Sequence, residues 1–169
     1  MPALQWSETL ALGLPVMDAT HEEFVNLLAQ VVNAPDTELM PLWRALVTHT
    51  DEHFTREDSW MRDTRFSSTN CHTTQHLVVL QVMREGDKRG SNGELAVVRQ
   101  MADELGVWFP QHAQSMDAAL ALHLRGVGYD PATGIVNMPQ ALPKEIVHGC
   151  GGSTCATEET SEQETAAAL

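Results

Sequence analysis

Apolar positions recur every three or four residues in four separate stretches of the chain, the spacing of one face of an α-helix. Phe24, Leu27, Leu28, Val31 and Val32 make the first stripe, and Asn33-Ala34-Pro35 ends it. Thr20 and Glu23 have capping-box spacing, so this helix is expected to begin near Thr20. Residues 1–16 read as an extended arm whose Trp6 packs back on the domain. The second stripe is Leu39, Leu42, Trp43, Leu46, Phe54, Trp60 and Met61, with Pro41 tolerated in the first turn. A loop over Arg65–Ser68 leads to a third helix, capped by Ser68 or Thr69, with Val79, Leu80 and Met83 inward and Gly86 and Gly90 at its close. The fourth spans about Gly93 to Leu124 on Leu95, Val98, Met101, Leu105, Trp108, Met116 and Leu120, with a kink or break expected at Pro110.

Short connections and no convincing strand alternation predict an all-α fold: an antiparallel up-down-up-down four-helix bundle over residues 1–124. Residues 125–155 read as an irregular, turn-rich extension with one weak apolar segment, Ile135–Met138. Residues 156–169, acidic and without a base, read as a disordered tail.

The charge narrows the class of partner. Among 169 residues, 23 acids face 10 bases, a formal net charge of −13. Nucleic-acid binding needs a cationic footprint, and so does adhesion to an anionic membrane surface, so neither partner is expected. No run of about 18 apolar residues is present to span a bilayer. The amino-terminal residues lack a basic segment followed by an apolar run, so a cytoplasmic location is expected. Three cysteines are too few for a disulfide scaffold.

Histidines and carboxylates interrupt the apolar stripes. His53 and Glu57 are four residues apart, as are His72 and His76, and each pair differs by only about 40° in azimuth. His21 lies on the first stripe and His112 on the fourth. Asp117 follows His112 by five residues, about 140° round an α-helix and off that face. A single histidine on an apolar stripe is ordinarily a hydrogen-bonded core residue, and either helical pair alone is equally consistent with an exposed polar face. All of them together, on four inward stripes, point to a buried site for two metals. Each buried polar group without a partner costs about 1–3 kcal/mol, which bound metal would offset. The set exceeds the four ligands of one tetrahedral zinc, and mixed imidazole and carboxylate suits iron.

Several of these residues also stand in recognisable elements. They are Trp6 with Met17-Asp18-Ala19-Thr20-His21, then His53-Phe54-Thr55-Arg56-Glu57, then His72-x-x-x-His76, then Trp108-x-x-x-His112-x-x-x-x-Asp117. In this order, over residues 6–124, the chain resembles the hemerythrins, specifically the bacterial single-domain kind. The resemblance implies two iron ions (Fe2+/Fe3+) with a bridging oxo or hydroxo group. His72, His76 and His112 would hold one iron, His21 and His53 the other with an open position, and Glu57 and Asp117 would bridge. It implies reversible dioxygen binding for storage, delivery or sensing, without enzymatic turnover, in a monomer that passes oxygen to a protein recipient. The alternatives are a di-iron oxidase or peroxidase or an iron-detoxifying protein, and an oxygen- or iron-responsive interaction module using the Cys150–Cys155 segment. Leu28, Leu77 and Trp108 are the candidates for an apolar oxygen pocket. His49 stands where the family usually has Tyr, and reads either as a partner to a ligand or as a partly exposed helix residue. His148, Cys150 and Cys155 have the chemistry for zinc, copper or a reversible disulfide, though three ligands fall one short of a closed zinc site. Cys71 is expected to pack as a small apolar residue.

Overall fold

The structure, a computed structural model, describes residues 3–66 and 71–146. His148, Cys150, Cys155, the acidic tail and the cap candidates Ser68 and Thr69 lie outside the described residues. Four long helical runs form the predicted bundle. They are α1 (Pro15–Asn33), α2 (Asp36–Asp63), α3 (Cys71–Ser91) and α4 (Leu95–His112), the last continuing through a π-helical turn, Ala113–Asp117, into α5 (Ala118–Gly126). The helices pack in a ring, α1 on α2, α2 on α3, α3 on α4 and α4 back on α1. Connections as short as Ala34-Pro35 leave consecutive helices only the antiparallel arrangement.

Helix α1 starts earlier than its sequence suggests. Pro15 occupies the first turn, where its missing N–H is harmless. Asp18 reaches back to accept the amides of Leu12 (2.7 Å) and Gly13 (3.0 Å), which fixes the approach of residues 12–14. Thr20 is not a cap. It lies inside the helix, with its hydroxyl donating to the Val16 carbonyl at 2.9 Å. The arm before α1 contains a short 3-10 turn, Glu8–Leu10.

Three further expectations need correction. Gly86 does not close α3; the helix runs on to Ser91. A Cβ at Gly86 would lie 2.9 Å from the Trp43 ring and 2.8 Å from Met101 Sδ, so glycine there permits close approach of α2, α3 and α4. Trp43 is fully buried and donates its indole N–H to the Met83 carbonyl at 3.1 Å. In α4 the buried face is Val98, Ala102, Leu105, Phe109 and His112, so Phe109 holds the deep position expected for Trp108, which is only half-buried. The chain stays α-helical through Pro110, and the interruption comes after His112.

The interior divides into two apolar clusters. One contains Phe24, Leu28, Val31, Trp43, Leu46, Met83, Leu105 and Phe109. The other contains Leu14, Met17, Trp60, Met61, Phe66, Leu120 and Leu124. Along α1 the order is Met17, His21, Phe24; along α2 it is Leu46, His53, Glu57, Trp60; along α4 and α5 it is Phe109, His112, Asp117, Leu120. A polar layer therefore lies between two hydrophobic layers.

Part of the extension is ordered against the second cluster. Tyr129–Asp130 (β1) pairs antiparallel with Ile135–Val136 (β2), a hairpin that the sequence pattern did not reveal. Asp130 accepts from the Ala132 amide and the Thr133 hydroxyl, and Gly134 takes a positive φ of 71° to complete the turn. Tyr129 and Val127 pack into the second cluster, and His123 meets the Thr64 carbonyl at 3.1 Å. Cys71 is disulfide-bonded, contrary to the expectation of a simple packing residue. Among the described residues no helix is long and apolar enough to cross a membrane.

Candidate metal centre

Every buried side-chain nitrogen or oxygen without a hydrogen-bond partner among the described residues belongs to seven side chains: His21, His53, Glu57, His72, His76, His112 and Asp117. The orphaned atoms include all five Nε2 nitrogens and all four carboxylate oxygens. An interior that satisfies its other polar groups and leaves these together is built for something that accepts all of them at once.

The carboxylates organise the set. Glu57 Oε1 lies 3.1 Å from His53 Nε2, while its Oε2 lies 3.6 Å from His72 Nε2 and 3.4 Å from His76 Nε2. Asp117 Oδ2 lies 3.3 Å from His21 Nε2, while its Oδ1 lies 2.9 Å from His72 Nε2 and 3.1 Å from His112 Nε2. One oxygen of each acid faces the pair His21 and His53, and the other faces the trio His72, His76 and His112. Two groupings of potential metal-binding atoms result: Glu57, His72, His76, His112 and Asp117, and His21, His53 and Glu57.

The π turn brings Asp117 into this set. The Ala118 amide donates to the Ala113 carbonyl five residues back, so the turn holds one residue more than an α turn. The extra residue cancels the angular offset that five residues produce in an α-helix, and His112 and Asp117 share a face. Ser115 stabilises the widened turn by donating to the Gln111 carbonyl at 2.6 Å.

Electrostatics follow from packing imidazoles against acids in a dry layer. Burial and the neighbouring Asp117 charge push Glu57 upward, but His53 and His72 outweigh them and hold its pKa well below the ordinary carboxylate value. Asp117 behaves alike: burial raises it, and His112, His21 and His72 bring it well below. Burial opposes a charge on His72, yet Asp117 and Glu57 push its pKa up to about 10. His21 is raised by Asp117, and His76 by Asp58 and Glu57, both against the effect of burial. Burial prevails at His112, whose pKa is lowered. Without metal, the charged Glu57 and Asp117 favour protons on His72, His21 and His76, and a bound cation would displace those protons.

The aromatic surround excludes water. Phe109 meets the His21 ring edge-on at 5.2 Å and stacks on Phe24 at 4.6 Å. Phe54 lies flat on His76, 3.9 Å between centroids, and Trp108 stacks on His112 at 4.5 Å. Of the pocket candidates, Leu28 is fully buried and Trp108 flanks the centre. Leu77 is 69% exposed and lines no pocket at the centre, because it follows His76 on the helix and points away. His49 makes no hydrogen bond to the seven, although its ring lies 6.4 Å from that of His53; its Nε2 lies 3.2 Å from the Thr20 carbonyl and its Nδ1 3.8 Å from Glu23. Phe24 and Phe54 were legible as helical neighbours of the histidines, whereas Phe109 was missed because the fourth stripe was drawn through Trp108. Asp58 and Gln75, which meet His76 and His112 from outside, gave no signal of their own.

A family described as the hemerythrin HHE cation binding domain matches residues 12–122, which contain all seven side chains. The chain belongs to the hemerythrin family. It is 37% identical over 130 residues to a bacteriohemerythrin of Ralstonia nicotianae, spanning 77% of this chain and 95% of that one. A bacteriohemerythrin of Aquifex aeolicus is 30% identical over 120 residues, 67% of this chain and 91% of its own. No solved structure matches the chain. The hemerythrin match ends at residue 122, close to the end of α5 and before the hairpin.

Proposed function

We propose that this hemerythrin binds two iron ions and uses them to hold dioxygen reversibly, for storage, delivery or sensing. His72, His76 and His112 would hold one ion, His21 and His53 the other, and Glu57 and Asp117 would bridge them. The observation that carries this reading is the split of each carboxylate, one oxygen toward each histidine group, which is the arrangement a bridging ligand needs. The chemistry of the donors agrees: imidazole and carboxylate without sulfur suit iron. When bound, the iron pair supplies the electrons for reversible dioxygen binding.

The residues around the centre favour binding over turnover. The His21 and His53 group brings fewer nitrogens than the other, which leaves room for a small ligand on that side. Phe24, Phe109 and Leu28 wall the same end with apolar surface, limiting access of water and protons. The trio is closed by Phe54 and Trp108. Metal analysis of the purified protein should give two irons per chain. Admitting air to the reduced, iron-loaded protein should produce a visible absorption band that disappears when dioxygen is removed. Irreversible bleaching with no such band, or steady consumption of dioxygen with a reductant, would favour the oxidase reading instead.

A further inference from the structure

The five imidazoles turn Nε2 inward, and their outer nitrogens meet different surroundings. His76 Nδ1 lies 2.9 Å from Asp58 Oδ1. His112 Nδ1 lies 3.2 Å from Gln75 Oε1, an oxygen that also accepts from the Trp108 indole N–H at 3.4 Å. Two N–H donors converge on that one amide oxygen, so the outer nitrogen of His112 carries the proton and its Nε2 is free for a metal. The outer nitrogens of His21, His53 and His72 are buried and have no hydrogen-bond partner among the described residues. Outer support therefore falls on two of the three histidines of one group, His76 and His112, and on neither histidine of the other.

The asymmetry has a chemical consequence. A carboxylate that accepts the outer N–H draws the proton toward itself and makes the inner nitrogen more electron-rich. An ion of higher charge gains more from that than an ion of lower charge. An amide has the same geometry with less force, because it is neutral. Phe54, lying parallel to His76 within 7°, holds the ring in the plane that aims Nδ1 at Asp58. Asp58 directly follows Glu57 on α2, so one turn carries both an acid inside the centre and an acid behind it. It also places a third carboxylate close to those of Glu57 and Asp117.

We propose that Asp58 is a positioning residue that acts through His76 to bias the three-histidine position toward ferric iron, with Gln75 exerting a weaker bias through His112, so that the two irons differ in potential. This rests on the di-iron reading above.

The test is an anaerobic spectroelectrochemical titration of the iron-loaded full chain, with Mössbauer spectra to count and distinguish the irons. Asp58→Asn keeps an acceptor and removes the charge. It should lower the ferric-over-ferrous preference about 10–100-fold, raising the midpoint by about 59 mV per tenfold. Gln75→Glu adds charge behind His112 and should move the midpoint the other way. Opposite shifts with both irons in place support the proposal, since a merely structural role would not reverse sign. An unchanged midpoint in Asp58→Asn, or shifts of the same sign, overturns it. If one variant fails to load iron, the other decides; failure of both to load overturns the proposal, which requires a site that survives either change. Because the titration excludes dioxygen, loss of the oxygen-binding reading leaves the result standing, whereas a wild-type chain that holds no iron pair would sink the underlying reading.

Discussion

Glu57 and Asp117 are the residues whose two oxygens serve different neighbours, and that duty is testable apart from their charge. Glu57→Gln keeps the shape but replaces one oxygen by an NH2 that cannot ligate. Iron content should fall to one ion or fewer per chain by metal analysis, with helical circular dichroism retained; two tightly held irons would show that Glu57 does not bridge. His49 is the contrasting case. Burial lowers its pKa, its polar contacts are the Thr20 carbonyl and Glu23, and its ring meets only the edge of the set, 6.4 Å from the His53 ring. His49→Ala should leave iron content unchanged and cost about 0.5–1.5 kcal/mol of stability, the worth of one hydrogen bond. Depletion of iron in that variant would reinstate it as a support for the centre. Six of the seven were legible because they are polar residues where the helical period asks for core, whereas Asp117 was legible only from its place in the family's final element. Asp58 and Gln75 were not, since their importance lies in the direction of two Nδ1 atoms, which depends on ring orientation and on packing by Phe54 and Trp108.

At the scale of elements, periodicity located four helices and missed their internal irregularities. The burial of Asp117 looked inconsistent with an α-helix because of its five-residue spacing from His112, and the π turn resolves this. Pro110 drew attention to the right part of the chain, but the extra residue is accommodated beyond it. The π turn acts as a one-residue insertion, and that leads to an unusual expectation. Deleting the exposed Gln114 should restore α-helical register and place the aspartate four residues after the histidine, an offset of only about 40°. Iron binding should survive the deletion. Loss of both irons with full helicity would mean that the widened turn sets the position of the carboxylate as well as its face. A second expectation concerns Gly86, whose absent Cβ lets α3 approach the rigid Trp43 ring. Gly86→Ala gains helix propensity of roughly 1 kcal/mol but overpacks the contact. A net loss of about 1–2 kcal/mol is expected, lowering the melting midpoint by about 2–4 °C per kcal/mol. A stabilised variant would show that Trp43 and Met101 can yield.

For the molecule as a whole, the buried polar layer makes stability depend on metal and on pH together. Without metal, His72 is held protonated by Asp117 and Glu57, with a pKa near 10 against 6.5 when unfolded. Its stabilising contribution is complete below pH 6.5 and is lost as pH rises toward 10. His21 and His76, also raised, act in the same direction. Glu57 and Asp117 are depressed, so their contribution is present above the ordinary carboxylate range and is lost as pH falls through it. His112 is lowered by burial and loses stability only below pH 6.5, outside the alkaline window. The metal-free protein should therefore melt at progressively lower temperature between pH 6.5 and 10. With iron bound as proposed, the same nitrogens would be neutral ligands, and protons would compete with metal for them. Raising pH then removes a competitor, so the loaded protein should gain or hold stability over the same window. Thermal melts of chelator-treated and iron-loaded protein across that range should give slopes of opposite sign or one slope near zero. Parallel decline of both would mean that the alkaline sensitivity arises outside the seven buried side chains, and that the layer between the two apolar clusters is not where metal and proton compete.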